Sequence, residues 1–447
     1  MRNLFITLTY LFTSTISLAQ LPNYNTYLLK QLDDYAGYSA LWGYTSLSGG
    51  EYALLGCDTG TSFVNITDSA NIYEVDFVRG VFSQWREIKT YSHYAYVVSE
   101  GANSRLQIID LQYLPDSVSL VTTWTKGGLS TCHAISQSGP YLYLSGNNAS
   151  FGQGVQIVDV TDPVNPVRRG GNNARYVHDT RVRNDTLWAC NIFNSRLTLI
   201  NATDKDNLQE IRTLNSIQQG PHSGAITNDR KYIFITHETD APGTLDIWNI
   251  EDLTNMTYVK SWQPAGISTS VVHNIEIYDS FAYVAHYTAG IRIINISDPQ
   301  NPVEAAWYDT RPQDNGSSFL GCWTVYKFAS GKIIASDVTN GLFVIKATIA
   351  TSLKGNISEI KSFDLFQNYP NPFNPETQIR YILNENGTVK LSVYDNTGRL
   401  VSLVFDGFKS AGSHKLKFNS ADLTSGIYFY RLDFNGMVKT LKMVVLK

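Results

Sequence analysis

The sequence predicts an all-β chain, a seven-bladed β-propeller followed by a small C-terminal β-sandwich, and three observations predict it. A strand-rich unit recurs seven times, at intervals of roughly 40 to 50 residues. Within each unit, apolar residues alternate with period two and stop at Gly, Asn, Asp or Pro. Helix-period stretches are scarce across the 447 residues. The unit is clearest from His273 to Pro302, where FAYVA and IRIIN alternate and Asp298, Pro299 and Pro302 stop the last strand.

Taken in order, the second strands of the units are YALLG (52–56), YAYVV (94–98), YLYLS (141–145), TLWAC (186–190), YIFIT (232–236), FAYVA (281–285) and KIIAS (332–336). Third strands follow as SFVNI, LQIID, VQIVD, LTLIN, LDIWN, IRIIN and LFVIK. A parallel β-helix would need shorter rungs, so the period points to a propeller. The seventh unit lacks a fourth strand, and the segment 24–32, with TYLLKQL at 26–32, is the strand that can supply it. Such closure removes two open sheet edges.

Arg2, the apolar run Leu4 to Leu18 and the small-x-small site Ser17-Leu18-Ala19 read as a signal peptide over 1–19. The run is short for a membrane span, and no later stretch is longer. The propeller is expected over 20–346, a linker over 347–362 and the sandwich over 363–447. A net charge of −4 and the lack of a Lys/Arg run give no case for nucleic acid or a polybasic membrane anchor. The protein is expected to be a monomer. Four cysteines, Cys57, Cys132, Cys190 and Cys322, permit three pairings. Repeat position suggests Cys132 with Cys190 and Cys322 with Cys57; four buried thiols are the alternative.

After the linker come NYPNPFNPET, GIYFYRL and a terminal KMVVLK, with turns at Asn396-Thr397-Gly398 and Asn435-Gly436. This segment resembles the C-terminal sorting domain of type IX secretion substrates. The resemblance implies a Bacteroidota-type cell, the type IX machinery as partner through 363–447, and passage through the periplasm to the outer surface or beyond. WREIKTYSHYAYVVSE (85–100), VHDTRV, PHSGAITNDRKYIFITHE, VHNIEIY and the stretch from Gly321 to Lys346 resemble the LVIVD-repeat, "choice-of-anchor B" surface proteins. That resemblance spans 24–346 and implies an architecture and an address, with no biochemical activity attached.

The chemistry is read from the repeats themselves. The openings of the first strands hold Ser39, Arg86, His133, His178, His222, His273 and Trp323. Second strands end at Ser99-Glu100, Asn147, Asn191, His237-Glu238, His286 and Asp337. In a propeller both sets reach one face, so six of the eight histidines are expected at one mouth of the channel. The candidate ligand-binding residues are Arg86, Glu100, His133, His178, Asp179, His222, Glu238, His273, Trp323 and Asp337. Candidate metal ligands are His178, His222, His273 and His286, a set suited to a divalent metal.

Three readings compete: a polar pocket for an extracellular anionic or sugar-like ligand, a metal site, and imidazoles that tie neighbouring blades together. An enzyme version would be a metal-dependent extracellular hydrolase or lyase with Glu100, Glu238 or Asp337 as base. A purely architectural surface protein is the remaining alternative. No His-Glu-x-x-His, Gly-x-Ser-x-Gly, phosphate-cradling loop or EF-hand is present. His222-Ser223 is not a Ser/His pair, because adjacent strand residues face opposite ways. Sequons such as Asn65-Ile66-Thr67 and Asn295-Ile296-Ser297 fall where a third strand meets its turn.

Overall fold

The computed structural model describes residues 22–349 and 363–447, apart from positions 47, 184, 240, 241, 315, 369, 384, 385, 397, 398, 411, 435 and 436. The expected signal segment, most of the linker and the turn residues 397–398 and 435–436 lie outside the described residues. The chain divides into two compact units, residues 1–350 and 351–447.

The first unit is a β-propeller. Among the described residues it holds seven antiparallel sheets in chain order, which we number as blades one to seven. Their innermost strands are Tyr38–Thr45, Arg86–Tyr91, Ala134–Ser138, Asp179–Arg183, Pro221–Ile226, Ile275–Tyr278 and Cys322–Lys327. Each of these strands contacts the next, and Cys322–Lys327 returns to Tyr38–Thr45, so the ring closes. Tyr, Val and Ile dominate the middle strands because both of their faces are covered. The core lies between neighbouring sheets: Leu41, Ala53, Leu55 and Val64 of blade one pack on Phe328, Ile334, Leu342 and Val344 of blade seven.

Blade seven takes its outer strand from the N-terminal side of the chain. Thr26–Leu32 pairs antiparallel with Gly341–Ala347, from Thr26 opposite Ala347 to Leu32 opposite Leu342. Leu29 and Leu32 pack into the core shared with blade one. Ala347 therefore belongs to this strand and not to the linker. One strand was not foreseen. Asn23–Tyr24 adds a fifth strand to the outer edge of blade six, with Tyr24 stacked on Trp307 at 4.7 Å between ring centroids. The N-terminal segment thus covers two outer edges in succession.

All four cysteines are buried free thiols, which corrects the suggested Cys132–Cys190 and Cys57–Cys322 pairings. Burial pushes all four thiols up, so none is a ready nucleophile.

The second unit is a sandwich of a three-stranded sheet (Phe363–Leu365, Glu376–Leu383, Gly412–Asn419) and a four-stranded one (Leu400–Lys409, Gly387–Asp395, Gly426–Phe434, Met437–Val445). Ile379, Tyr381, Val389, Leu391, Tyr430 and Leu432 share one core between them. The Pro-rich motif is zipped to the C-terminal strand. The Asn371 side-chain oxygen accepts from the Val444 amide at 2.8 Å, and the Phe373 amide donates to the Val444 carbonyl at 3.1 Å.

Deleting residues 22–33 leaves blade seven with a bare edge, so the variant should aggregate and melt at lower temperature than the full chain. Size-exclusion chromatography and thermal melting check this, and unchanged behaviour would contradict the closure.

Candidate functional site

The register of the repeats decides which predicted residues meet. His133, His178, His222 and His273 lie within two residues of the start of the innermost strands of blades three to six, at one height around the channel. Successive imidazole centroids lie 4.0, 4.6 and 4.2 Å apart, and Trp323 continues the arc at 4.6 Å from His273. Together with Trp85, Arg86, Glu87, Asp179 and Asn274 they line a cavity of about 10 Å³. That is room for one water or one ion.

The second-strand ends sort by parity. Neighbouring residues on a strand face opposite ways. Glu100, Glu238 and Tyr287 occupy the same place in blades two, five and six, and all three turn toward the imidazoles. The Glu238 carboxylate stands 3.4 Å from Nε2 of His222 and 3.6 Å from Nε2 of His273, and accepts the Tyr287 hydroxyl at 2.6 Å. Glu100 meets Nδ1 of His133 at 2.6 Å.

One residue earlier, His237, His286 and Asp337 turn away into the loops of their own blades. His237 pairs with the buried Asp246 at 3.0 Å, and His286 lies against the Ser270 hydroxyl at 3.0 Å. Asp337 accepts from the Thr339 and Asn340 amides and the Thr310 hydroxyl. Four histidines therefore gather at the mouth, not six. His286 leaves the metal set and Asp337 leaves the ligand set. Arg86 lines the cavity, but its guanidinium points between blades one and two, where it donates to the Cys57 and Val81 carbonyls. Glu238, read first as a ligand-binding residue and a base, joins the imidazoles as a possible metal ligand.

The two imidazoles nearest Glu238 are held from behind. Nδ1–H of His222 donates to the His273 carbonyl at 3.2 Å, and Nδ1–H of His273 donates to the Trp323 carbonyl at 2.6 Å. Ser39 does the same with its hydroxyl, reaching the Arg86 carbonyl at 3.2 Å. A carbonyl can only accept, so these bonds place a proton on Nδ1 of each ring and turn Nε2 toward Glu238. Burial lowers His273 to about 3, and burial followed by the neighbouring imidazoles holds His178 well below the usual range. Both rings are neutral at pH 7. Burial alone would raise the Glu238 carboxyl; the fields of His222 and His273 and the Tyr287 hydroxyl outweigh it and leave it depressed. Burial likewise acts against a charged His133, but its bond to Glu100 wins and raises it.

The result is a buried carboxylate facing the Nε2 atoms of His222 and His273 across distances too long for strong charge-assisted hydrogen bonds. Nδ1 of His178, also buried, has no partner. Two groups bring ring nitrogens and carboxylate oxygens within 4.8 Å of one another: His222, Glu238 and His273, and His133, His178 and His222. Tyr287 and Glu87 were missed by sequence reasoning. Aligning the residue after each second strand puts Tyr287 level with Glu100 and Glu238, and that alignment was the available signal. Tyr287 adopts φ 25°, unusual for a bulky residue, where the chain turns to aim its hydroxyl at Glu238.

Removing the His273 ring orphans the Trp323 carbonyl and opens a hole at a residue 3% exposed. His273→Ala should therefore lose about 2–4 kcal/mol in urea unfolding. His133→Ala, nearer the rim, should lose clearly less. Equal losses would contradict the inter-blade tie.

Comparison with known proteins places these features. Residues 271–310, which hold His273, match the LVIVD repeat. Residues 367–446 match the secretion system C-terminal sorting domain. No curated protein matches the chain. A crystal structure of a candidate 6-phosphogluconolactonase from Bacteroides fragilis NCTC 9343 is similar at a TM-score of 0.51 and 9% identity, covering 85% of this chain and 98% of that one. A protein from Lactobacillus plantarum gives 0.51 and 11%, covering 85% and 99%. At such identities the likeness concerns the fold alone. Among the described residues no helix is long and apolar enough to cross a membrane. The chain carries an LVIVD repeat in its β-propeller and a C-terminal sorting domain, and is exported through type IX secretion to the cell surface or the extracellular space.

Proposed function

We propose that this chain is an exported propeller that holds a divalent transition-metal ion at its imidazole-lined mouth and binds an extracellular ligand or partner there. The observation that carries the reading is the pair of separations from Glu238 to His222 and His273, 3.4 and 3.6 Å. A tetrahedral ion with bonds of about 2.0–2.1 Å sets its ligand atoms roughly 3.4 Å apart. Two Nε2 atoms and one carboxylate form the donor set of an open site, with a position left for an incoming group. The inter-blade bonds from Nδ1 support this, since metal-bound imidazoles usually donate their other N–H to a carbonyl or carboxylate. Tying blades and holding an ion are then two uses of one ring.

The cavity volume of about 10 Å³ suits an ion and is too small for a sugar, so an organic ligand would bind from above. Glu100 and Phe319, both partly open to solvent, stand where it would approach. The His133–Glu100 pair favours a second reading. At 2.6 Å the two groups form a proton-accepting unit beside the cluster, as a metal-dependent hydrolase or lyase requires. The N-terminal apolar segment, acting as a signal peptide, would bring the chain to the periplasm before type IX export. The choice-of-anchor B architecture belongs to this proposal as well.

Elemental analysis and zinc titration of the full chain test the proposal. One ion per chain is expected, with affinity reduced at least about 100-fold in Glu238→Gln and in His222→Ala. Absence of bound metal together with no zinc uptake at millimolar concentration would overturn it.

A further inference from the structure

A second hollow lies between blades one and two, on the face where Arg86 opens its strand and Ser99 closes the next one. Its volume is about 270 Å³, and Arg79, Arg86, Arg105, Ser99, Asn103 and Gln107 line it. At roughly 30 Å³ per water this is room for about nine waters, the size of a monosaccharide and far more than the imidazole cavity offers.

Three arginines line this space, and no acid does. Arg86 is 2% exposed, and its printed hydrogen bonds go to neutral carbonyls, Cys57 at 3.1 Å and Val81 at 2.6 Å. Among the described residues, neither Arg86, Arg79 nor Arg105 forms an ion pair. Asp58 acts on Arg86 through its field only, and burial pushes the guanidinium down to about 10. A buried cation of this kind is costly unless an anion joins it.

Two further groups are left waiting. Ser99 Oγ is fully buried with no hydrogen-bond partner. The Gln107 amide donates its Nε2–H to the Arg79 carbonyl at 2.9 Å, which leaves Oε1 buried and unpaired. Gly80 makes room for the charge, because a Cβ there would stand 2.6 Å from an Arg86 guanidinium nitrogen. One donor hydroxyl, one acceptor amide oxygen and three cationic forks are complementary to hydroxyl groups beside an anionic one.

We infer that this cleft binds a small anionic carbohydrate, a sugar ring bearing a carboxylate, sulfate or phosphate group. The guanidinium groups take the anionic oxygens in the bidentate manner that Arg geometry favours. Ser99, Asn103 and Gln107 take the ring hydroxyls. The inference does not depend on metal at the imidazole cluster, because neither those rings nor Glu238 line this cleft.

Calorimetric titration of the full chain with glucuronate, glucose 6-phosphate, inorganic sulfate and glucose tests it. Glucuronate or glucose 6-phosphate should bind, sulfate should bind at least tenfold more weakly, and glucose should not bind detectably. Arg79→Ala and Arg105→Ala, both at the open side, should each weaken the sugar acid about tenfold while leaving the melting temperature in place. Glu238→Gln, which removes a carboxylate from the imidazole cluster, should leave this binding intact and so separates the two sites. Equal binding of glucose, equal binding of sulfate, affinity indifferent to both Arg variants, or no binding by either sugar acid at about 10 mM would overturn the inference.

Discussion

The pairing of Thr26–Leu32 with Gly341–Ala347 is the constraint on which everything else depends. It joins strands more than three hundred residues apart and turns a row of seven sheets into a ring. Without a ring, Ser39 of blade one and Trp323 of blade seven would sit at opposite ends of an open stack. With it, the openings of the innermost strands face one another across a channel. The cost of closing so long a loop grows only slowly with its length. The gain is the burial of the core between blades one and seven and the removal of two open edges.

Within that ring, the same imidazole does structural and chemical work from its two nitrogens. Nδ1 of His222 and of His273 reaches the carbonyl of the next blade, which locks the ring's rotation and tautomer. Nε2 is then presented to the channel in a fixed direction. Glu238, itself held by Tyr287, completes the arrangement. Binding groups set up in this way lose little freedom when an ion arrives.

The seven repeats, the closing strand and the two units were legible because period-two alternation and turn residues are written locally. The four-histidine arc was legible too, since equal repeat position means equal height in a ring. What failed was parity at the second-strand ends. Treating His237 and Glu238 as one position, and setting His286 and Asp337 level with them, counted side chains that face opposite ways. A single shift along the strand separates Glu238, in the cluster, from His237, locked to Asp246. The arginine cleft left no sequence signal at all. It arises from a glycine at position 80 and from the loop before Arg105, and neither carries a pattern. The edge strand Asn23–Tyr24 is two residues long, too short for any periodicity to show.

An ion between His222, Glu238 and His273 is the central claim, and anomalous diffraction at the zinc absorption edge tests it most directly. Crystals of the full chain grown with zinc should show one strong peak within about 2.0–2.2 Å of both Nε2 atoms and a Glu238 oxygen. An empty cluster, with Glu238 bonded only to Tyr287 and water in the cavity, would contradict the account.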